Sequence, residues 1–353
     1  MKTNLTCILI LTLAVPLSLA AASKPLRIWF VDVEGGQATL FVSPSGESML
    51  VDTGWADHNN RDADRIMQCA RAAHIRQIDY LVITHYHADH VGGVPQLAAE
   101  IPIRNFVDHG PTVETNAQGE ALYQAYLKVR AHGRHLLARP GMKIPISGMN
   151  VEVVTAAGNV LSQPLPSAGA NNPYCPAESQ LRPGNDTSEN AQSTGILVSY
   201  GKFRMIDLGD LTWRKEYALV CPMNKVGTVS VYLTTQHGYA ISGERYIVDA
   251  LHPAVAIGDN GARKGGTADA LKVVRGSPGL KGFWDLHYSY AAGDENAAPE
   301  YIANLRSGPD QGNWIEIIAY RDGVFTVVNG RNHKAVTYRD AARQHNDPSS
   351  DKR

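Results

Sequence analysis

Several common chemistries find little support in this chain. It has four cysteines in 353 residues, none in a C-x-x-C spacing, which excludes a cysteine-ligated zinc site. A basic excess is missing too: 33 lysines and arginines meet 34 aspartates and glutamates, a formal net charge of −1. Bulk attraction to nucleic acid needs such an excess, so no stable nucleic-acid partner is indicated, and any phosphate on a substrate must be gripped locally. Beyond the N-terminus no run is long and apolar enough to span a bilayer. Nor is there a linker that would split the chain, or a Ser/His/Asp or Cys/His arrangement suited to nucleophilic catalysis.

What remains is the composition of a folded α/β protein, 44% apolar and 19% charged. The opening "MKTNLTCILILTLAVPLSLAAAS" pairs a basic start at Lys2 with a short apolar stretch and small residues near Ala20 to Ala22. This reads as a secretory signal peptide over residues 1–22, and it implies a secreted or periplasmic protein. One domain is expected over residues 23–340, with a polar tail at 341–353. Export removes Cys7 and leaves Cys69, Cys175 and Cys221 in an oxidising compartment. Cys175 and Cys221 could pair, whereas Cys69 falls on the apolar face of an expected helix.

Local patterning gives a coarse element order. "LRIWFVDV", "QATLFVS" and "ESMLVDTG" read as consecutive strands separated by tight turns. Ile66, Cys69, Ala70 and Ala73 mark a helix over 60–74. "IDYLVIT" is a strand, followed by a helix over about 91–100, the strand "IRNFVDHG" and a second helix through Leu122, Ala125, Tyr126 and Val129. "VEVVTAA" precedes a long Pro/Ser/Asn/Gly-rich loop from Gly158 to about Asn190. A hairpin turning at Gly201-Lys202, strands ending at His237 and near Asn260, a helix, and the pair "WIEIIAY" and "VFTVV" complete the order. Strand runs alternating with helices point to two packed sheets with helices outside, a four-layer αββα sandwich of the α/β class.

The chemistry concentrates in "THYHADHVGG", where a strand ends and a helix begins. His85 and His87, two apart in extended chain, point the same way and could share one cation. Asp89 and His90 follow where the chain has turned, within reach of a second cation. Imidazole nitrogens suit zinc, and carboxylates neutralise charge. A two-ion site also needs a bridging carboxylate and a further imidazole. Asp210, ending "RMIDLGD", and His237, ending "VYLTTQHG", fit those needs, and Asp89 and Asp210 are the candidate catalytic carboxylates. Asp52, ending "MLVDTG", is expected beneath the ions, orienting ligand histidines through hydrogen bonds.

Taken in order, "VDTG", "THYHADHVGG", "LGD" and "QHG" resemble the metallo-β-lactamase superfamily, most of all the hydrolase domain of ComEC competence proteins. The resemblance spans most of residues 26–260. It implies the αββα fold and two divalent ions, zinc in the usual case and manganese as the alternative. It further implies His85, His87 and Asp210 at one ion and Asp89, His90, Asp210 and His237 at the other. Many relatives add a histidine from a turn before the "GD" strand. Here that region reads "ENAQSTGILV", with Asn190 and Ser193 but no histidine, and His109 at the end of "NFVDHG" is the alternative.

The implied reaction is hydrolysis, in which water held between two cations loses its proton near neutral pH and attacks phosphorus or a carbonyl carbon. A phosphoester is the preferred substrate class. A lactam, lactone or carboxylic ester on the same site is the second, and a catalytically inactive binding protein the third. Arg263 and Lys264 in "GDNGARKGG" could cradle phosphate. Tyr239 and His287 are further candidate substrate contacts.

Overall fold

The computed structural model describes residues 24–56, 58–181, 186–305 and 311–339; the expected signal peptide and polar tail lie outside the described residues. The first half of the chain builds β1 (Leu26–Phe30), β2 (Thr39–Val42), β3 (Ser48–Val51), α1 (Arg61–Ala72), β4 (Ile78–Val82), α2 (Ala88–Val91), α3 (Val94–Glu100), β5 (Ile103–Asp108), α4 (Ala117–Arg130) and β6 (Arg134–Leu137). Then come β7 (Lys143–Ile144), β8 (Asn150–Ala156), β9 (Asn159–Val160), β10 (Gly195–Tyr200), β11 (Phe203–Asp207), α5 (Trp213–Val220), β12 (Val231–Leu233), α6 (Arg245–Leu251) and β13 (Val255–Gly258). The last part supplies α7 (Ala268–Arg275), β14 (Gly282–His287), β15 (Ile302–Asn304), β16 (Ile315–Ala319), β17 (Val324–Asn329) and β18 (Ala335–Arg339).

Among the described residues these strands form two nine-stranded sheets. The first runs β18-β17-β16-β1-β2-β3-β4-β5-β6, and the second runs β15-β14-β13-β12-β11-β10-β8-β7 with β9 on β8. Side-chain alternation explains the stacking. Leu26, Ile28 and Phe30 of β1 face a central layer shared with Val153, Ile196, Val198, Met205, Val231, Val255 and Trp284 of the second sheet. The intervening Trp29 turns outward to Leu40, Leu50 and Leu81 beneath Ile66, Cys69, Leu97 and Tyr126 of α1, α3 and α4. On the far side Ile206, Tyr232, Ala256 and Phe283 lie under Leu219, Ile247, Leu251, Leu271 and Val274 of α5, α6 and α7. The layers are α, β, β, α. Strands such as "VYL" read as unbroken apolar runs because both of their faces are covered.

Topology decides where function can sit. β3 through β6 are parallel, as are β11 through β15. Their carboxyl ends therefore share one rim, where open α/β sheets bind ligands. One expectation needs correction here. The helix expected over 91–100 begins only at Val94, after Gly92-Gly93, and a separate short helix, α2, precedes it; Gly93 lies so close to the Thr53 carbonyl that no Cβ would fit. Trp284 of β14 is fully buried in the core between the sheets. No helix among the described residues is long and apolar enough to cross a membrane.

Two buried carboxyls make stability pH-dependent. Burial pushes Asp285 up to about 7 and Glu216 up to about 8. Folded-state values above the unfolded ones mean that their contribution is complete below about pH 4 and is lost as pH rises toward 7 to 8. We expect Asp285→Asn, which cannot ionise, to gain roughly 2–4 kcal/mol over the parent between pH 5 and pH 8. Urea melts at both pH values check this; a pH-independent difference between the two proteins would refute it.

Candidate metal centre

Strand ends deliver the polar side chains to the rim. β3 is followed by Asp52, whose positive φ of 58° turns the chain sharply. The chain past β4 carries Thr84 and His85, and α2 carries Asp89 and His90. β11 leads to Asp210, and β12 leads to a tight turn in which His237 also has a positive φ, 55°. His85, His90 and His237 are buried, as are Asp89 and Asp210.

Of three groups of possible ligands among the described residues, two adjoin here, Asp89, His90, Asp210 and His237, and beside it His85, His87 and Asp210; the third is Asp32, Glu34 and His287. In the first, His90 Nε2 lies 3.2 Å from His237 Nε2, and each of these nitrogens lies 3.2 Å from Asp89 Oδ2 and from Asp210 Oδ1. A tetrahedron of that edge has its centre about 2 Å from each corner, the usual length of a zinc bond to imidazole or carboxylate. The other oxygen of Asp210, Oδ2, lies 3.9 Å from His85 Nε2 in the second group. His85 Nε2 is buried without a hydrogen-bond partner. A divalent ion fits both groups.

The surrounding hydrogen bonds set the tautomers. Asp52 Oδ2 accepts from His90 Nδ1 at 2.7 Å, and Asp259 Oδ2 from His237 Nδ1 at 3.2 Å. Thr84 Oγ1 donates to Asp52 Oδ2 at 2.6 Å, so it accepts from His85 Nδ1 at 3.0 Å. In each case Nε2 is left as the lone pair facing the group. The charges agree with a cation site. Burial, aided by the neighbouring His90 and His87, holds His85 well below its ordinary value. Against the same burial, Asp210 raises His237 to about 9, and Asp210, Asp89 and Asp52 raise His90. Burial likewise opposes ionisation of Asp89 and Asp210, yet the neighbouring histidines hold both well below the carboxylate range. The pocket is thus built around positive charge, which protons on His90 and His237 supply when no ion does.

The other sequence candidates are dispersed. Lys264 reaches the site: its Nζ pairs with Asp89 Oδ2, donates to Gly35 O at 2.7 Å and lies 5.2 Å over the Trp55 ring. Arg263 instead stacks on exposed Tyr290 at 5.3 Å. Tyr239 is half-buried just past His237. His287 is engaged elsewhere, its Nε2 2.6 Å from Asp32 Oδ1 and 3.5 Å from Glu34. Arg65 also pairs with Asp32, which makes this an ion network tying the turn after β1 to β14. His109 belongs to neither ligand group, because its Nε2 meets Glu189 at 2.9 Å.

Sequence reasoning passed over Asp259, Glu189, Glu114 and the buried pair of Gln37 with Asp207. Asp259 was within reach, since "AVAIGDN" ends a strand on an aspartate as "MLVDTG" does. Asp207, the last residue of β11, closes an apolar run in the same way, but its partner could not be read. It is pushed up to about 7 by burial and held by Gln37 Nε2 at 2.8 Å, a partner 170 residues away.

The sequence model of the metallo-beta-lactamase superfamily matches residues 31–233. A hydroxyacylglutathione hydrolase of Aliivibrio fischeri (strain MJ11) is 38% identical over 69 residues, 17% of this chain and 26% of that protein. The chain therefore spans about a quarter of the length of the curated relatives it matches. Among solved structures, it resembles a metal-dependent hydrolase of the beta-lactamase superfamily with a TM-score of 0.44 and 16% identity, covering 75% of this chain and 97% of that one. It also resembles a diphosphatase from the PhnP family with a TM-score of 0.40 and 12% identity, covering 84% of this chain and 98% of that one.

Proposed function

This chain belongs to the metallo-beta-lactamase superfamily, and from that premise we propose an exported hydrolase that uses two divalent ions to cleave a phosphoester. The observation that carries the substrate class is Lys264. Its ammonium is fixed on Asp89 at the edge of the ligand groups. A permanent cation there favours a substrate whose reacting centre is an anion, and gives a neutral lactam or ester much less.

The chain's own residues divide the work. Asp210, between the two groups, fixes their spacing. Asp52 and Asp259 keep His90 and His237 in the tautomer that presents Nε2. Lys264 orients the substrate anion. The ions would supply an acidified water and stabilise the charge that develops on oxygen. An imidazole-rich donor set favours zinc, with manganese as the alternative. Export is supported by the signal-like residues 1–22 and by the Cys175–Cys221 disulfide, since such bonds persist in oxidising compartments.

A carboxylic ester or lactam is the second reading, favoured by the 69-residue match to a hydroxyacylglutathione hydrolase. Zinc-loaded protein offered bis-p-nitrophenyl phosphate, a chromogenic cephalosporin and a hydroxyacylglutathione decides between them. We expect turnover of the phosphodiester, with KM rising about tenfold in Lys264→Ala, the loss of one charge-assisted contact worth about 1.4 kcal/mol. Hydrolysis confined to the cephalosporin or the hydroxyacylglutathione would replace this reading with the second. Loss of all turnover with intact metal would favour a binding protein.

A further inference from the structure

We propose that Glu114 is a positioning residue for His87, fixing which ring nitrogen that histidine turns toward the ion it shares with His85 and Asp210. The inference rests on the dinuclear reading above. The two ligand groups are unequal: one has four protein ligands, while the other has three, and the segment before β10 supplies no histidine to complete it. The weaker group also contains the least constrained ligand. The His87 side chain is 36% exposed, against 0% for His85, His90 and His237. It sits at the start of α2, a helix of four residues. Unless something outside the group held it, this ring would be free to turn.

Glu114 is placed to hold it. Its Oε1 lies 3.3 Å from His87 Nε2. A carboxylate only accepts, so the proton resides on Nε2 and Nδ1 keeps the lone pair for the ion. This is the reverse of the arrangement at His90 and His237, where Nδ1 carries the proton. Glu114 is itself anchored. Its Oε2 accepts from Asn116 Nδ2, and its backbone N–H donates to Thr112 Oγ1 at 3.1 Å.

The anchor leads back to the segment that lacks the histidine. Thr112 Oγ1 and the Val113 N–H donate to Glu189 Oε2 at 3.0 and 2.9 Å. Glu189 Oε1 accepts from the Tyr86 N–H at 3.1 Å and from His109 Nε2 at 2.9 Å. One buried carboxylate therefore ties the peptide between His85 and His87 to the loop that carries Glu114. Where a further ligand histidine is missing, the same stretch of chain braces an existing ligand instead.

Such outer carboxylates typically change metal affinity by 10–100-fold. The test combines calorimetric zinc titration of the parent, Glu114→Ala and Glu114→Gln with nitrogen–proton spectra of the His87 ring in metal-free protein. The parent should take up two ions and show the Nε2–H form. Glu114→Ala should bind one ion about 10–100-fold more weakly, leave the other unchanged and lose the tautomer preference. Glu114→Gln, which keeps an acceptor oxygen without its charge, should fall between. Parental affinity for both ions in Glu114→Ala, or an unaltered His87 tautomer, would overturn the proposal. A parent that binds no zinc would sink the dinuclear reading, while the tautomer spectra would still decide the Glu114 contact.

Discussion

Asp210→Ala will empty the His85/His87 ion position, weaken the other, and lower turnover by at least about a thousandfold, some 4 kcal/mol of barrier. The reason is geometric. Asp210 is the residue common to both ligand groups, with Oδ1 3.2 Å from His90 and His237 and Oδ2 3.9 Å from His85. Without it the first group keeps Asp89, His90 and His237, a three-ligand set that still holds an ion more weakly, while the second keeps only His85 and His87, too few to compete with water. The fold should survive, because Asp210 lies in a loop past β11 and takes no part in the apolar layers. Elemental analysis and initial rates, with a circular-dichroism melt as control, check this. Parental metal content in the variant would show that the two ions are not held as described.

The second large effect concerns stability. Cys175 and Cys221 are joined across a sequence separation of 46 residues. Closing a loop of that length in the unfolded chain is worth about 4 kcal/mol in the chain-entropy model. The bond pins the long segment after β9 onto α5, where Asn172 also donates to Val220 O and Tyr246 O at 3.1 and 2.9 Å. Replacing both cysteines by serine should lower Tm by roughly 5–10 °C in non-reducing calorimetry. An unchanged Tm would mean that the loop is held by its hydrogen bonds alone. The odd cysteine is explained as well: Cys69 is buried on α1, and burial pushes its thiol up to about 12, out of reach of oxidants and partners.

Much of the first sheet was legible from local pattern. β1 to β5 and α1 fall where alternation and the three-to-four-residue spacing put them, and the β10–β11 hairpin turns at Gly201-Lys202 as expected. The short edge strands β6, β7 and β18 escaped because exposed, mixed-polarity runs carry no alternation to read. Helices α5 and α6, each only about two turns long, escaped.

The site divides in the same way. His85, His87, Asp89 and His90 announce themselves in six consecutive positions. Asp52, Asp210 and His237 each close an apolar run. His109 and His287 have the same look, yet their rings meet Glu189 and Asp32, partners 80 and 255 residues away. Arg263 and Lys264 are neighbours in one loop, and their fates differ because only one of the two side chains faces Asp89.

The sequence alone determined that strands would end on imidazoles and carboxylates, because alternation and turn residues act over a few positions. Only the tertiary structure decided which of those groups converge. Ligand spacing near 3.2 Å depends on how two sheets stack and how their parallel strands align at one rim. Those distances are fixed by packing between residues far apart in the chain, which no local pattern encodes.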